Sequence, residues 1–355
     1  LEFLTDFGLF IAKTATLVVA LVVIISVIAA AAQRDRGDAS EEGELKVRKL
    51  NEKYRKLREH LQAKLLSDGE RKIWHKLLKK KEKSRQKEEK ASHKKAGDEQ
   101  PEQGARVFVL DFNGDIKASD TDPLRRAITA VLSVADPAKD EVVVRLESGG
   151  GMVHSYGLAA AQLDRIRAKG LSLTACVDKV AASGGYMMAC VADRIVASPF
   201  AILGSIGVVA QLPNFHRLLK KNNVDFEVLT AGEHKRTLTL FGENTDKGRA
   251  KFLEDLEDTH GLFKDYVSER RPALDMSAVA NGDIWFGRRA LEVNLIDEIK
   301  TSDEYLIEAC ERADVISVSY QRKRTLPEKL GLATSAALEH TVWRIIGALR
   351  DQKIQ

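Results

Sequence analysis

From residue 105 onward, short apolar runs alternate with amphipathic stretches, and this alternation constrains the fold most. Residues 107–110 read as a strand. Asp120 or Thr121 caps a helix over 123–134. Residues 141–146, EVVVRL, have the unbroken apolar character of a buried strand. Residues 153–168 form an amphipathic helix closed by Gly170, and 171–177 the next strand. Apolar runs at 195–197, 201–203 and 206–209 follow. A charged helical region at 246–270, the stretch WFGRRALEVNLIDEI at 285–299, another helix and a strand at 315–320 complete the pattern. Such alternation implies right-handed crossovers and a largely parallel sheet, the α/β class. Asp193, Arg194 and Pro199 argue against a membrane span in the apolar region 186–212.

The segment before residue 105 is different. Residues 9–32, LFIAKTATLVVALVVIISVIAAAA, are almost wholly apolar, with Lys13 able to reach an interface. At about 1.5 Å per residue the run spans a bilayer core of about 30 Å. Small residues at 29–32 offer a cleavage-like position for a signal peptide, but Glu2 and Asp6 ahead of the run are acidic and favour a retained anchor. Residues 33–100 are rich in Lys, Glu and Arg. Val47, Leu50, Tyr54, Leu57, Leu61 and Leu65 recur at helical steps, and a second helical piece carries Ile73, Trp74, Leu77 and Leu78. A solvated helical stalk and linker explains this composition. Contact with anionic lipid headgroups is the functional alternative; without interleaved aromatics, nucleic-acid binding is not expected. The expected organisation is an anchor at 1–36, a charged stalk and linker at 37–104, an α/β domain at 105–325 and a helical tail at 326–355.

The 355 residues suffice for one large domain or two ordinary ones. The net charge of +4 is uneven, its basic excess lying before about residue 100. Arg34, Arg36, Lys46, Arg48 and Lys49 follow the apolar run, so the positive-inside rule places the α/β domain in the cytoplasm. Cys176, Cys190 and Cys310 are odd in number, far apart and in apolar surroundings, which supports neither a disulfide framework nor a zinc site.

Three segments can carry chemistry. In VDKVAASGGYMMACVADRIV (177–196) a β-like run gives way to small residues and then an apolar helical stretch. Ser183 at such a junction has an accessible hydroxyl, and the Gly184 N–H can approach a substrate carbonyl. A plain N-cap with close-packing glycines explains the stretch equally well. The loop ESGGGM (147–152) follows EVVVRL but lacks the spacing of a nucleotide-binding loop. In AGEHKRT (231–237), Lys235 can act as a base only if desolvated. His154, His216, His234 and His260 are alternative bases, though no acid partner is distinctively placed.

In order and spacing, ESGGGMVHSYGLAAAQL, DKVAASGGYMMACVAD, ILGSIGVV, AGEHKRTLT and WFGRRALEVNLIDEI resemble the signal peptide peptidase A family of serine peptidases. The resemblance covers most of the chain. It implies a Clp/crotonase-like α/β spiral of ββα units, behind a transmembrane helix and charged stalk, in the bacterial inner membrane. It implies Ser183 as nucleophile, Lys235 as general base and Ser205 orienting the lysine. Gly184 with Gly150 or Gly151 would form the oxyanion hole. No metal or other cofactor is implied. The implied substrates are apolar membrane-derived peptides, remnant signal peptides or misfolded membrane proteins. The implied assembly is a homo-oligomeric ring lying on the membrane, with serine and lysine from adjacent subunits. Family analogy points outward from the cytoplasm, against the charge rule. Gly149 stands where the family has proline, which predicts a looser loop. A crotonase-type acyl-CoA enzyme and a non-catalytic scaffold are the competing functions; the Ser183/Lys235 pair argues against both.

Overall fold

The computed structural model describes residues 43–95 and 104–321. In chain order these form β1 (Glu44–Lys49), α1 (Leu50–Leu65), α2 (Asp68–Lys95), β2 (Arg106–Gly114), α3 (Thr121–Val134), β3 (Glu141–Ser148) and α4 (Val153–Ala168). Then come β4 (Ser172–Val177), β5 (Val180–Ala182), α5 (Gly184–Ala189), β6 (Arg194–Ala197), β7 (Ile202–Gly204) and α6 (His216–Lys221). The last are α7 (Asp246–Arg270), α8 (Met276–Val279), β8 (Ile284–Phe286), α9 (Gly287–Glu292), β9 (Glu298–Ile299), α10 (Ser302–Arg312) and β10 (Asp314–Gln321). The chain divides into two units, Lys46–Ser319 and Leu1–Leu45 with Tyr320–Gln355. The first carries the catalytic-looking motifs.

Its main sheet runs β10-β2-β3-β4-β6-β9, all parallel. Period-two alternation sends residues to both faces. Phe108, Leu110 and Phe112 of β2 join Val142, Val144 and Leu146 of β3 in one core, with α3, α4 and α5 above them. Val107, Val109, Val143, Cys176 and Val196 face the other way, against Leu50 of α1 and Tyr305, Leu306 and Ala309 of α10. Burial on both faces is why these strands read as continuous apolar runs.

The sheet branches at β3. Residues 141–145 pair with β4, whereas Ser148 at the strand's end pairs with Ala181 of β5. From there β5 pairs with β7 in parallel, and β7 with β8 antiparallel. This branch carries the serine motifs.

Several expectations are revised. Helix α3 starts two residues before Pro123, and Asp120 does not cap it. Its carboxylate instead accepts the Asn113 N–H at 3.1 Å. The strand before Ser183 is β5 rather than β4, so two strands precede the turn where one was expected. Residues 206–209 form no strand. Val47 lies in β1, not in a helical stripe.

The stalk segment is helical in α1 and α2, but α1 is docked at its start rather than solvated throughout. The Asn51 amide donates to the Cys310 and Ala313 carbonyls at 3.2 and 2.9 Å, and its oxygen accepts the Val315 N–H at 2.7 Å. Farther along, Leu57, Leu61 and Leu65 are exposed. Among the described residues, no helix is long and apolar enough to cross a membrane. The apolar run 9–32 and the tail 326–355 lie outside them.

Candidate active site

The site begins with three short strand ends brought level. In the parallel register of β5 and β7, Ala182 stands opposite Gly204, so Ser183 and Ser205 follow side by side. Both are left-handed, with φ of 52° and 50°. A non-glycine residue in that region is strained by an order of 1–3 kcal/mol, and the neighbours must hold it there. The Ser183 N–H donates to the Gly204 carbonyl at 2.8 Å, and the Ser205 N–H to Asp283 O at 2.7 Å. These bonds pin both turns. They also leave the Ser183 amide unavailable to a substrate.

Small residues fit the turn to its neighbours. A Cβ on Gly184 would strike the Tyr156 ring, and one on Gly185 the Ser148 carbonyl. The close-packing explanation of these glycines is therefore correct, and it coexists with an accessible serine. Gly150, at φ +87°, brings the glycine loop against the turn: a Cβ there would lie 2.7 Å from both Gly184 N and Ser183 Cβ. Only glycine meets both demands.

The loop's amides differ. Gly150 N–H donates to Ser148 Oγ at 3.1 Å. The Gly151 and Gly184 N–H groups have no partner among the described residues. Beside Ser183 lies a cavity of about 20 Å³, room for roughly one water. Val153, Met187, Val208 and Phe263 make its lining mainly apolar.

The structure does not bring Lys235 to the serines. Its side chain is exposed, on a segment without strands between β7 and α7. Among the described residues, the side chains of Lys235, Ser183 and Ser205 have no hydrogen-bond partner. The histidines do not replace it. His154 and His234 are exposed, and His216 opens α6. His260 reaches the GSIG loop, but its Nε2 faces the Ile206 carbonyl at 3.2 Å and must donate there. That nitrogen is not a free base.

Among the described residues no cluster of His, Cys, Asp and Glu is arranged to hold a metal ion. Burial pushes the Cys190 thiol up to about 12 and raises Cys176 as well. Both stay protonated and unreactive. The sequence pattern does not single out Ser148, one letter of a glycine-rich loop, or Tyr156, one position on an amphipathic helix. A polar-tipped residue on a buried face, one helical turn into the helix after that loop, was the available signal.

Comparison with known proteins gives this arrangement its context. Residues 2–163 match Peptidase family S49 N-terminal, and residues 165–316 match Peptidase family S49. The chain is 49% identical over 330 residues to a probable protease SohB of Haemophilus influenzae, covering 93% of this chain and 92% of that one. It is 46% identical over 307 residues to a probable protease SohB of Buchnera aphidicola subsp. Schlechtendalia chinensis, covering 86% and 99%. Another, of Buchnera aphidicola subsp. Acyrthosiphon pisum, is 52% identical over 240 residues, covering 68% and 71%. With nearly all of residues 2–316 matched and relatives aligned almost end to end, this chain belongs to peptidase family S49, close to the SohB proteases.

Proposed function

We propose that this chain is a membrane-anchored serine endopeptidase with a Ser183/Lys235 dyad. The observation that carries the reading is Ser183 itself: left-handed, pinned through its own amide, and followed by an unpartnered Gly184 N–H. The hydroxyl attacks a peptide carbonyl and passes its proton to neutral Lys235. The Gly184 and Gly151 amides receive the oxyanion. Lysine then protonates the leaving amine, and water resolves the acyl-enzyme. Ser205, beside Ser183 in register, orients the lysine. The branch of the sheet at β3 supports a Clp/crotonase-like spiral as the host of this chemistry.

Lys235 in one copy is exposed, and a solvated lysine is a poor base near pH 7. Its segment exposes many apolar side chains: Val209 is 80% and Leu229 90% accessible, and Phe215, Phe226 and Phe241 cluster with centroids 5.6–5.9 Å apart. Docking this segment on an adjacent copy covers that surface and desolvates the lysine. The functional form is thus a homo-oligomeric ring on the membrane, each site combining Ser183 of one subunit with Lys235 of the next.

The apolar side chains beside Ser183, namely Val153, Met187, Val208 and Phe263, favour apolar peptides as substrates, the class that remnant signal peptides and misfolded membrane proteins supply. On this reading residues 9–32 anchor the protein in the bacterial inner membrane, and the basic residues after them favour the cytoplasmic side for the peptidase. Reporter fusions after Gln100 check the orientation. Phosphatase activity there, without cytoplasmic-reporter signal, contradicts it.

The dyad is tested in the full chain with a fluorogenic apolar peptide. Ser183→Ala and Lys235→Ala should each lower kcat by at least about 10³-fold, and the double variant should be little worse than either. Full activity in Lys235→Ala would refute the lysine base.

A further inference from the structure

Beneath the glycine loop lies a buried hydrogen-bonded chain that the dyad chemistry does not use. The Tyr156 hydroxyl lies 2.7 Å from the Asp115 carbonyl and 2.5 Å from Ser148 Oγ. Ser148 Oγ lies 3.1 Å from the Gly150 nitrogen. The Tyr156 side chain is fully buried, and Ser148 is 2% accessible.

The ends of this chain fix its direction. A backbone N–H can only donate and a backbone carbonyl can only accept. Tyr156 therefore spends its one hydrogen on Asp115 O. The Ser148 hydroxyl then donates to the tyrosine oxygen at 2.5 Å, far closer than its other acceptor, the Gly114 carbonyl at 3.4 Å, and it accepts from Gly150 N–H. Every proton points from the glycine loop toward Asp115. Burial raises the Tyr156 phenol above its ordinary range, which keeps that proton in place at working pH. A Cβ on Gly114 would strike both hydroxyls, so the chain has a space shaped for it.

Tyr156 also reaches the other side of the site. Its ring packs under Gly184, where a Cβ would collide with it. It is held edge-on by Phe112, with centroids 6.3 Å apart. One side chain thus touches the residue after the nucleophile with its ring, and holds the glycine loop through its hydroxyl.

Resting on the serine-peptidase reading above, we infer that Tyr156 and Ser148 are positioning residues for the oxyanion hole. They hold the Gly150 amide away from the reacting carbonyl and leave the Gly151 N–H to serve it with Gly184. The opposite arrangement, with Gly150 as donor, makes Ser148 a competitor whose removal frees that amide. The two readings predict opposite signs.

The experiment compares Tyr156→Phe and Ser148→Ala in the full chain, with Ser183→Ala alongside. Removing a whole oxyanion donor costs about 10²–10³-fold in kcat. Misorienting one should cost less, roughly 10–100-fold, with KM within about twofold. The double variant should match the worse single, because the two act as one chain. A peptide aldehyde, which forms an oxyanion-bearing adduct on the serine, should lose affinity by the same factor as kcat. The corresponding non-reactive peptide alcohol should bind as before. A purely structural role would weaken both ligands together.

Unchanged or raised kcat in Ser148→Ala overturns the inference, as does equal loss of aldehyde and alcohol binding. Should Tyr156→Phe not fold, Ser148→Ala carries the same decision alone. If Ser183→Ala retains activity, the serine reading fails and this inference falls with it. If Ser183→Ala is dead while both positioning variants match the parent, only the inference fails.

Discussion

Ser183 and its neighbours show how one residue carries two explanations at once. The small residues of VAASGG permit α5 to pack on Ser148 and Tyr156, and the same packing twists the serine into a left-handed turn. That dual reading was legible in the sequence, because strand, small-residue turn and apolar helix sit in order. The Tyr156–Ser148 chain was not. It ends on the Asp115 carbonyl, a backbone group that sequence pattern does not mark. Gly149 gives a clear prediction at this scale. The resemblance leads to an expectation of proline there, yet a Cβ on Gly149 meets nothing within 4 Å and its φ is not left-handed. Gly149→Ala should therefore stabilise the protein by about 0.4–1 kcal/mol through the unfolded state, with kcat unchanged. Loss of stability in denaturant titration would show that the loop depends on glycine there.

Elements were legible where they are long. Helices α4 and α7 and strands β3 and β4 were read closely, since apolar periodicity over six or more residues is a strong signal. Strands β5, β7 and β8 are three residues each, too short for any period, and they form the branch that carries the site. The helical stripe of α1 is legible in the sequence, though it takes in Val47 of β1 and points to a solvated stalk. Its docking rests on Asn51, one polar residue bonded to Cys310, Ala313 and Val315 backbone groups. Asn51→Ala should cost about 1–3 kcal/mol and expose α1 to limited proteolysis. Unaltered cleavage in that helix would contradict its docking.

The start of β2 offers a pH-dependent test. Asp140 is buried, which by itself would raise its carboxyl. Hydrogen bonds from Arg106 and the Asp136 N–H outweigh this and hold it below the usual carboxylate range. A depressed carboxyl stabilises the fold fully above its unfolded value of about 3.9. That contribution disappears as pH falls through the folded value. Asp140→Asn should cost about 3 kcal/mol at pH 7, because it removes the buried carboxylate charge that faces Arg106. The cost should shrink on acidification, and a penalty independent of pH would rule out the ion pair as its source.

At the scale of the whole molecule, the proposed dyad takes its two members from adjacent copies. Ser183 and Ser205 follow paired strands in register and the Gly151 and Gly184 N–H groups have no partner among the described residues, while Lys235 stays exposed on an apolar-rich segment between β7 and α7. The fold class was legible because every core strand is covered on both faces. The relation of lysine to serine was not, because in the proposed ring it depends on a surface that a single chain leaves open. The decisive measurement mixes full-length Ser183→Ala with full-length Lys235→Ala in detergent that permits subunit exchange, and assays peptide cleavage. Each protein alone should be inactive. Verified mixed oligomers should regain activity, since some sites then pair an intact Ser183 with an intact Lys235 of the neighbour. Mixed oligomers that stay as inactive as their parents would contradict the shared site.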